Sequence, residues 1–221
     1  KLHSLSDKSR PTYENAPFDK GITAHRPYTG GDGRASTGWH VAFGDVQNDG
    51  YDDIFVTKGN VEQMPVAAML EPNNLLIATG NGDFVERGDV AGVASLARGR
   101  GGALVDLNGD GLLDIVVNNR REPMEAFQNT TKVDGNWVGI DLRQASPNTF
   151  AVGAIVEVRR GEQIWTQELT VGGGHAGGTL VPLHFGLGKV QGDVHVTVTW
   201  PDQSKSLHEN MPLNQIISIT R

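Results

Sequence analysis

The sequence contains two related copies of one segment. The first copy is Val41-Ala-Phe-Gly-Asp-Val-Gln-Asn-Asp-Gly-Tyr-Asp-Asp-Ile-Phe-Val56, and the second is Gly102-Ala-Leu-Val-Asp-Leu-Asn-Gly-Asp-Gly-Leu-Leu-Asp-Ile-Val-Val117. Three aspartates align at a constant separation of 61 residues, namely Asp45 with Asp106, Asp49 with Asp110 and Asp53 with Asp114. A repeat of this length indicates β units of the propeller type.

Each copy holds an acidic loop of the pattern D-x-[Q/N]-x-D-G-x-x-D between two apolar runs. Calcium prefers six to eight hard oxygen ligands, which a tight loop presents from alternate positions. Gly50 and Gly111 stand where the chain has to turn sharply around an ion. The sequence therefore predicts two Ca²⁺ sites, with ligands from Asp45, Gln47, Asp49, the Tyr51 carbonyl and Asp53, and from Asp106, Asn108, Asp110, the Leu112 carbonyl and Asp114.

The loops could also be EF-hands, magnesium sites or turns that bind no metal, and the sequence fits these alternatives to different degrees. An EF-hand needs a bidentate Glu at position twelve and flanking helices, whereas position twelve is Val56 or Val117 and the flanks are strand-like. Magnesium prefers fewer protein ligands and more water. Two polar hairpin turns that bind no metal remain the alternative, and Gln47 is an unusual ligand for the first site.

Composition excludes several classes of protein. The chain has 221 residues, 38% of them apolar, which allows a sizeable core. No cysteine is present, so disulfide scaffolds, cysteine zinc sites and thiol catalysis are excluded. The net charge of −7 favours cation binding over nucleic-acid binding. No apolar run is long enough to span a membrane, and no catalytic motif is recognisable, so we expect a non-enzymatic protein.

The secondary structure is expected to be all-β, because short runs of Val, Ile, Thr and Trp alternate with polar residues between turn signals. We divide the chain into an N-terminal arm with a lead-in (residues 1–37), two calcium-binding repeats (residues 38–131) and a second β domain (residues 132–221). The glycine-rich segment Gly172–Gly178 lacks a phosphate-loop pattern. Its glycines are expected to permit a tight turn or the close approach of another backbone.

The repeats resemble FG-GAP (VCBS-type) repeats. The resemblance rests on Phe43-Gly44-Asp45, the acidic loop and the following Asp-Ile. The segment Pro72–Phe84 and the lead-in Gly88–Val93 are also similar to that family. It implies blades of an integrin-α-like β-propeller with calcium in the blade loops.

The C-terminal part resembles an ASPIC/UnbV domain. The strings Leu183-His-Phe-Gly-Leu-Gly188 and Val198-Thr-Trp-Pro-Asp202 carry this resemblance, although Gln203 replaces the glycine that usually follows the second string. Together the two resemblances imply an incomplete propeller with two calcium loops, followed by a β-sandwich-like UnbV domain.

A closed propeller typically needs four to eight blades, so two repeats leave strand edges to be covered. An N-terminal arm that donates a strand to a neighbouring copy would build an oligomer or filament. A compact monomer and a C-terminal piece of a longer propeller are the alternatives.

We expect a secreted or cell-surface protein that binds protein partners or copies of itself, without nucleic acid or membrane insertion. A carbohydrate-binding module is the other hypothesis, with glycans held by Gly172–Gly178 or by tryptophans, namely Trp39, Trp137, Trp165 and Trp200.

Overall fold

A computed structural model describes residues 2–4, 12–22, 37–61 and 70–221. Its elements in this part of the chain are β-strands and one short 3-10 helix, which confirms the all-β prediction. The strands of these residues form five sheets, and the sheets of the repeats and the C-terminal domain are described below.

The N-terminal segment forms two short strands, β1 (Leu2–Ser4) and β2 (Thr12–Glu14), which pair antiparallel with each other. The 3-10 turn Phe18–Lys20 follows. Lys20 Nζ lies 2.7 Å from Asp83 Oδ1, which ties this turn to the first repeat. Most of the arm that we predict to donate a strand lies outside the described residues.

The two repeats form two antiparallel meanders. The first repeat sheet contains β3 (Gly38–Gly44), β4 (Asp53–Lys58), β5 (Asn74–Ala78) and β6 (Phe84–Glu86), and the second repeat sheet contains β7 (Gly99–Val105), β8 (Asp114–Asn119) and β9 (Glu125–Phe127). Each acidic loop joins the first two strands of its sheet. The register is the same in both, since Gly44 pairs with Asp53 and Val105 pairs with Asp114.

The two repeat sheets pack as neighbouring propeller-type blades and do not close a barrel within the described residues. β3 lies beside β7, and one apolar cluster joins the sheets through Phe55, Leu75, Leu104 and Val117. Burial of these side chains holds the two acidic loops at the same end of the pair.

The C-terminal domain is a sandwich of two sheets, as predicted. One sheet has the order β15 (Leu183–Gly188), β10 (Asn136–Arg143), β18 (Ile216–Thr220), and the other has the order β12 (Gln163–Glu168), β11 (Ile155–Arg160), β16 (Val194–Thr199), β17 (Lys205–Met211). Along β16 every second residue is buried, which is the period expected of a strand with one face on a core. The core includes Val138, Val156 and Phe185, with Trp200 fully enclosed.

A glycine hairpin (Gly172–Gly178) leaves the sandwich and joins the first repeat sheet. It consists of β13 (Gly172–Gly174) and β14 (Gly177–Gly178), and Gly174 pairs with His40 of β3. On its other side, a Cβ at Gly101 of β7 would overlap the Ala176 carbonyl. The glycines here therefore allow close approach of another backbone, which is one of the two roles expected for them.

The turn after Trp200 keeps a left-handed conformation although it lacks the glycine of the family pattern. Gln203 has a φ of 70°, and its N–H donates to the Trp200 carbonyl at 2.8 Å. Trp200 in turn donates to the Ser204 carbonyl at 2.8 Å. The hydrogen bonds close the turn despite the steric cost of a side chain at positive φ.

Candidate cation sites and the interdomain contact

The first aspartate of the first acidic loop organises the loop backbone. Asp45 Oδ2 accepts the Gly50 N–H at 2.6 Å, and Oδ1 accepts the Asp49 N–H at 3.1 Å. Asp49 Oδ1 in turn accepts the Tyr51 N–H at 3.0 Å. Gly50 has a φ of 97°, so the sharp turn predicted at this glycine is present.

The second acidic loop repeats most of this arrangement. Asp106 Oδ2 accepts the Gly111 N–H at 2.8 Å, and Oδ1 accepts the Gly109 N–H at 2.7 Å. Asp110 Oδ1 accepts the Leu112 N–H at 2.9 Å. Gly111 has a φ of 86°, close to that of Gly50. The two loops thus share the hydrogen bonds to the N–H groups of Gly50 and Gly111 and of Tyr51 and Leu112. They differ at Oδ1 of the first aspartate, which accepts from Asp49 in one loop and from Gly109 in the other.

The last aspartate of each loop has the same pair of partners. One carboxylate oxygen accepts the N–H of the second loop residue, and the other accepts an N–H from a later segment of the same repeat. These hydrogen bonds are Val46 N to Asp53 Oδ2 (3.0 Å), Ala78 N to Asp53 Oδ1 (2.8 Å), Leu107 N to Asp114 Oδ2 (3.0 Å) and Asn129 N to Asp114 Oδ1 (2.8 Å). Each aspartate therefore fastens its loop to its sheet.

The carboxylates of the first loop are electrostatically strained. Burial raises the pKa of Asp45 to about 6, and the negative charge of Asp49 adds to the effect. Burial raises the pKa of Asp53 to about 7, with further contributions from the charges of Asp45 and Asp49. A bound cation would relieve both the desolvation and the mutual repulsion of these groups.

The predicted ligands supply suitable chemistry but are not gathered around one point. All ten offer oxygen donors, as calcium prefers. Within the described ranges, however, no three His, Asp or Glu side chains come together in a way that could hold a metal ion. Gln47 Nε2 donates to Asp49 Oδ2, and Asn108 Nδ2 donates to Asp110 Oδ2 at 2.9 Å. The oxygen ligands and the repulsion between the carboxylates thus fit a cation. In the structure, however, the carboxylate oxygens accept hydrogen bonds from N–H groups.

The C-terminal sandwich covers the first acidic loop. A Cβ at Gly186 of β15 would overlap the Asp45 carboxylate. Gly188 N–H donates to the Asn48 carbonyl at 3.1 Å, and Trp165 Nε1 donates to the Gly50 carbonyl at 3.2 Å. The Leu183–Gly188 string thus lies directly on a loop of the preceding repeat.

Asn48 links both loops to the sandwich. It is 1% exposed and has a φ of 53°. Its Nδ2 donates to the Gly111 carbonyl at 2.9 Å, which leaves Oδ1 to accept from His184 Nε2 at 2.8 Å. Burial lowers the pKa of His184 to about 4, so this imidazole is neutral at pH 7. Its ring stacks on Trp137 with centroids 5.5 Å apart.

Sequence reasoning did not single out Asn48. A usable signal was present, because the equivalent residue of the second loop is Gly109, which also has a positive φ. Asparagine tolerates this conformation better than most residues. An asparagine in place of glycine therefore indicated a side chain with a role of its own.

The tryptophans do not form one exposed platform. Trp137 and Trp200 are buried, and Trp39 and Trp165 are half-buried. Trp165 and the exposed Tyr51 border a groove of about 500 Å³ beside the first loop. A second cleft of about 530 Å³ lies between β3, β7 and the sandwich.

Comparison with protein families supports both resemblances. Residues 144–221 match the family model described as ASPIC and UnbV. Residues 98–134, which contain the second acidic loop, match the FG-GAP repeat model. Among the described residues, no helix is long and apolar enough to cross a membrane.

Curated relatives carry the name cartilage acidic protein 1. The human protein is 30% identical over 126 residues, which are 55% of this chain and 19% of the relative. The Xenopus tropicalis protein is 31% identical over 109 residues, or 48% of this chain and 16% of the relative. The chain thus spans less than a fifth of the length of these relatives. It carries an FG-GAP repeat followed by an ASPIC/UnbV domain, and over about half its length it is homologous to cartilage acidic protein 1.

Proposed function

We propose that this chain is a secreted, calcium-binding β protein without enzymatic activity that serves binding or structural assembly. The observation that carries the proposal is the pair of acidic loops, which share most of their hydrogen bonds. In the first of them, burial raises the pKa values of Asp45 and Asp53, and the negative charge of Asp49 adds to both shifts. Such a loop is less stable without a cation than with one.

Calcium would act on stability in this proposal. Asp45, Asp49 and Asp53 would supply charge to the first site, with neutral oxygens from Gln47 and the Tyr51 carbonyl. The second site would use the equivalent residues, namely Asp106, Asn108, Asp110, the Leu112 carbonyl and Asp114. An ion that binds only the folded state stabilises it by RT ln(1 + [L]/Kd). Calcium sites of extracellular modules work at Kd values of about 10⁻⁴ to 10⁻³ M, so even weak sites stay filled outside the cell.

An extracellular location is supported by the similarity to cartilage acidic protein 1 and by the proposed calcium sites. The absence of cysteine is compatible with it, because a sizeable core needs no disulfide.

Assembly with another protein, or with copies of this chain, is supported by the surface of the repeats. Phe43 and Met124 are each 66% exposed, and Leu107 is 60% exposed. The two repeat sheets also form no closed ring within the described residues, so their edges can add further strands.

Isothermal titration calorimetry with calcium tests the metal sites directly. We expect two binding events in the wild type and one each in Asp49→Asn and Asp110→Asn. Both substitutions remove a charge while leaving an oxygen to accept the loop N–H. Light scattering and electron microscopy, with calcium and then with chelator, test assembly. No calcium binding to either loop would refute the metal proposal, and a monomer under both conditions would refute self-assembly.

Carbohydrate binding is a second candidate, favoured by the groove between Tyr51 and Trp165. An exposed aromatic ring beside polar groups is suited to stacking on a sugar, and Asp49, Gln163 and Lys189 also line this groove. An array of soluble oligosaccharides, probed with the wild type and Tyr51→Ala, tests it. Binding that Tyr51→Ala abolishes would support the candidate, and no binding to any oligosaccharide would exclude it.

A further inference from the structure

The two acidic loops differ in what covers them. In the first loop, Asp45 and Asn48 are almost completely buried beneath β15 of the C-terminal sandwich. In the second loop, the residues from Leu107 to Asp110 are exposed. This loop meets the sandwich at its two ends, where a Cβ at Gly111 would overlap Trp137 and the charge of Asp106 acts on His184. The first loop is therefore part of the interdomain interface, whereas the tip of the second loop faces solvent.

The contact to the first loop uses the atoms that shape it. Asp45 Oδ2, which holds the Gly50 N–H, is also the atom closest to a Cβ at Gly186. The Asn48 carbonyl accepts the Gly188 N–H, and the Gly50 carbonyl accepts Trp165 Nε1. A change in the backbone of the first loop therefore changes the hydrogen bonds between this loop and the C-terminal sandwich.

We infer that strand β15 is an interaction surface whose partner is the first acidic loop, and that cation binding in this loop and docking of the sandwich stabilise each other. Asn48 connects the two, since its side-chain amide forms hydrogen bonds with both His184 and the Gly111 carbonyl. The second loop takes its cation with little effect on docking. The coupling rests on the proposed calcium function, whereas the docking contact does not.

Reciprocity makes the coupling measurable from both sides. If docking strengthens cation binding in the first loop by some factor, the cation strengthens docking by the same factor. Coupling between two sites in proteins commonly amounts to about 5-fold to 150-fold. We expect a factor of about ten, within this range, because two hydrogen bonds to loop carbonyls and the Asn48 bridge are shared.

Asn48→Gly is the decisive variant. Glycine occupies the equivalent position of the second loop, Gly109, so the loop can keep its positive φ while the bridge is lost. The reciprocal variant Gly109→Asn is the control, because a Cβ at Gly109 meets nothing within 4 Å. Calorimetry should show the first calcium site weakened about tenfold in Asn48→Gly and both sites unchanged in Gly109→Asn.

Hydrogen exchange at residues 183–188 measures docking of the sandwich on the first loop, independently of calcium affinity. In the wild type, calcium should slow exchange of the Gly188 N–H about tenfold. Asp49→Asn should abolish this effect, and Asp110→Asn should preserve it. Equal calcium affinities in Asn48→Gly and the wild type, or calcium-independent exchange in a protein that binds calcium, would overturn the coupling. If neither loop binds calcium, the proposed function fails as well. In that case, unchanged exchange in Asn48→Gly would also overturn the docking role of Asn48.

Discussion

Gly186 backs onto the carboxylate of Asp45, with no room for a side chain between them. The contact joins a strand of the C-terminal sandwich to the first residue of an acidic loop 141 positions earlier in the chain. It also helps to explain why Asp45 is only 2% exposed and why its pKa is raised. Two features identified separately in the sequence, the acidic loop and the Leu183–Gly188 string, are thus two sides of one interface.

Gly186→Ala should destabilise the protein by roughly 1–3 kcal/mol, because the new methyl group has to displace the Asp45 carboxylate or the strand. Thermal or urea unfolding measures the loss. The double variant Gly186→Ala/Asp45→Ala should recover part of it, since the overlapping carboxylate is gone. Strictly additive effects of the two substitutions would contradict the contact.

Stability without calcium should fall as the pH rises from about 6.5 to 8. In this window the folded state still holds protons on Asp53, and in part on Asp45, that the unfolded state lost near pH 4. Because the folded state binds more protons, raising the pH favours unfolding, by about 1 kcal/mol for a pKa near 7. His184 has the opposite effect on stability, but only below pH 6.5. There the unfolded state binds a proton on this histidine, whereas the folded state, with a pKa of about 4, does not.

Urea unfolding in chelator at several pH values measures this decline. Calcium should remove it, because the ion favours the ionised carboxylates, and Asp53→Asn should flatten it. A stability that stays constant from pH 6.5 to 8 in chelator would show that Asp53 ionises normally.

Gly177→Ala should separate the glycine hairpin from the first repeat sheet, because a Cβ at this position lies 2.5 Å from His40 Nδ1. Gly172→Ala is a matched control within the same hairpin, since its Cβ meets nothing within 4 Å. We expect faster hydrogen exchange at the His175 N–H, which donates to the Trp39 carbonyl, in the first variant alone. Equal exchange in both variants would show that the hairpin tolerates a side chain there.

Gln203→Gly should stabilise the protein by about 0.5–1 kcal/mol. Glycine removes the steric cost of a left-handed residue, and its greater freedom in the unfolded state offsets part of the gain. For a chain of this size the melting temperature should rise by roughly 1–3 °C. Gln203→Ala keeps the left-handed strain and should give no increase. A lower melting temperature in Gln203→Gly would mean that the glutamine side chain stabilises this turn.

Local patterns predicted much of this architecture. The 61-residue repeat gave the two meanders, the glycines of the acidic loops take the expected positive φ, and alternation along β16 gave one face of a sandwich. The contacts of Asn48 with His184, and of Gly174 with His40, join residues more than 130 positions apart. Such contacts depend on how whole sheets pack, which local periodicity does not encode. The gathering of ligands around each ion stays a prediction, because the aspartates accept backbone N–H groups in the structure.

The glycine hairpin also sets an order of events during synthesis. β3 is made early, whereas the hairpin that pairs with it emerges about 130 residues later, or roughly 7–26 s at typical rates of chain elongation. During that interval the edge of β3 that the hairpin will cover has no partner from the C-terminal sandwich. An exposed strand edge is a template for pairing with other chains. The repeats expressed without residues 132–221 would lack the hairpin that pairs with this edge, so we expect them to aggregate more readily than the whole chain.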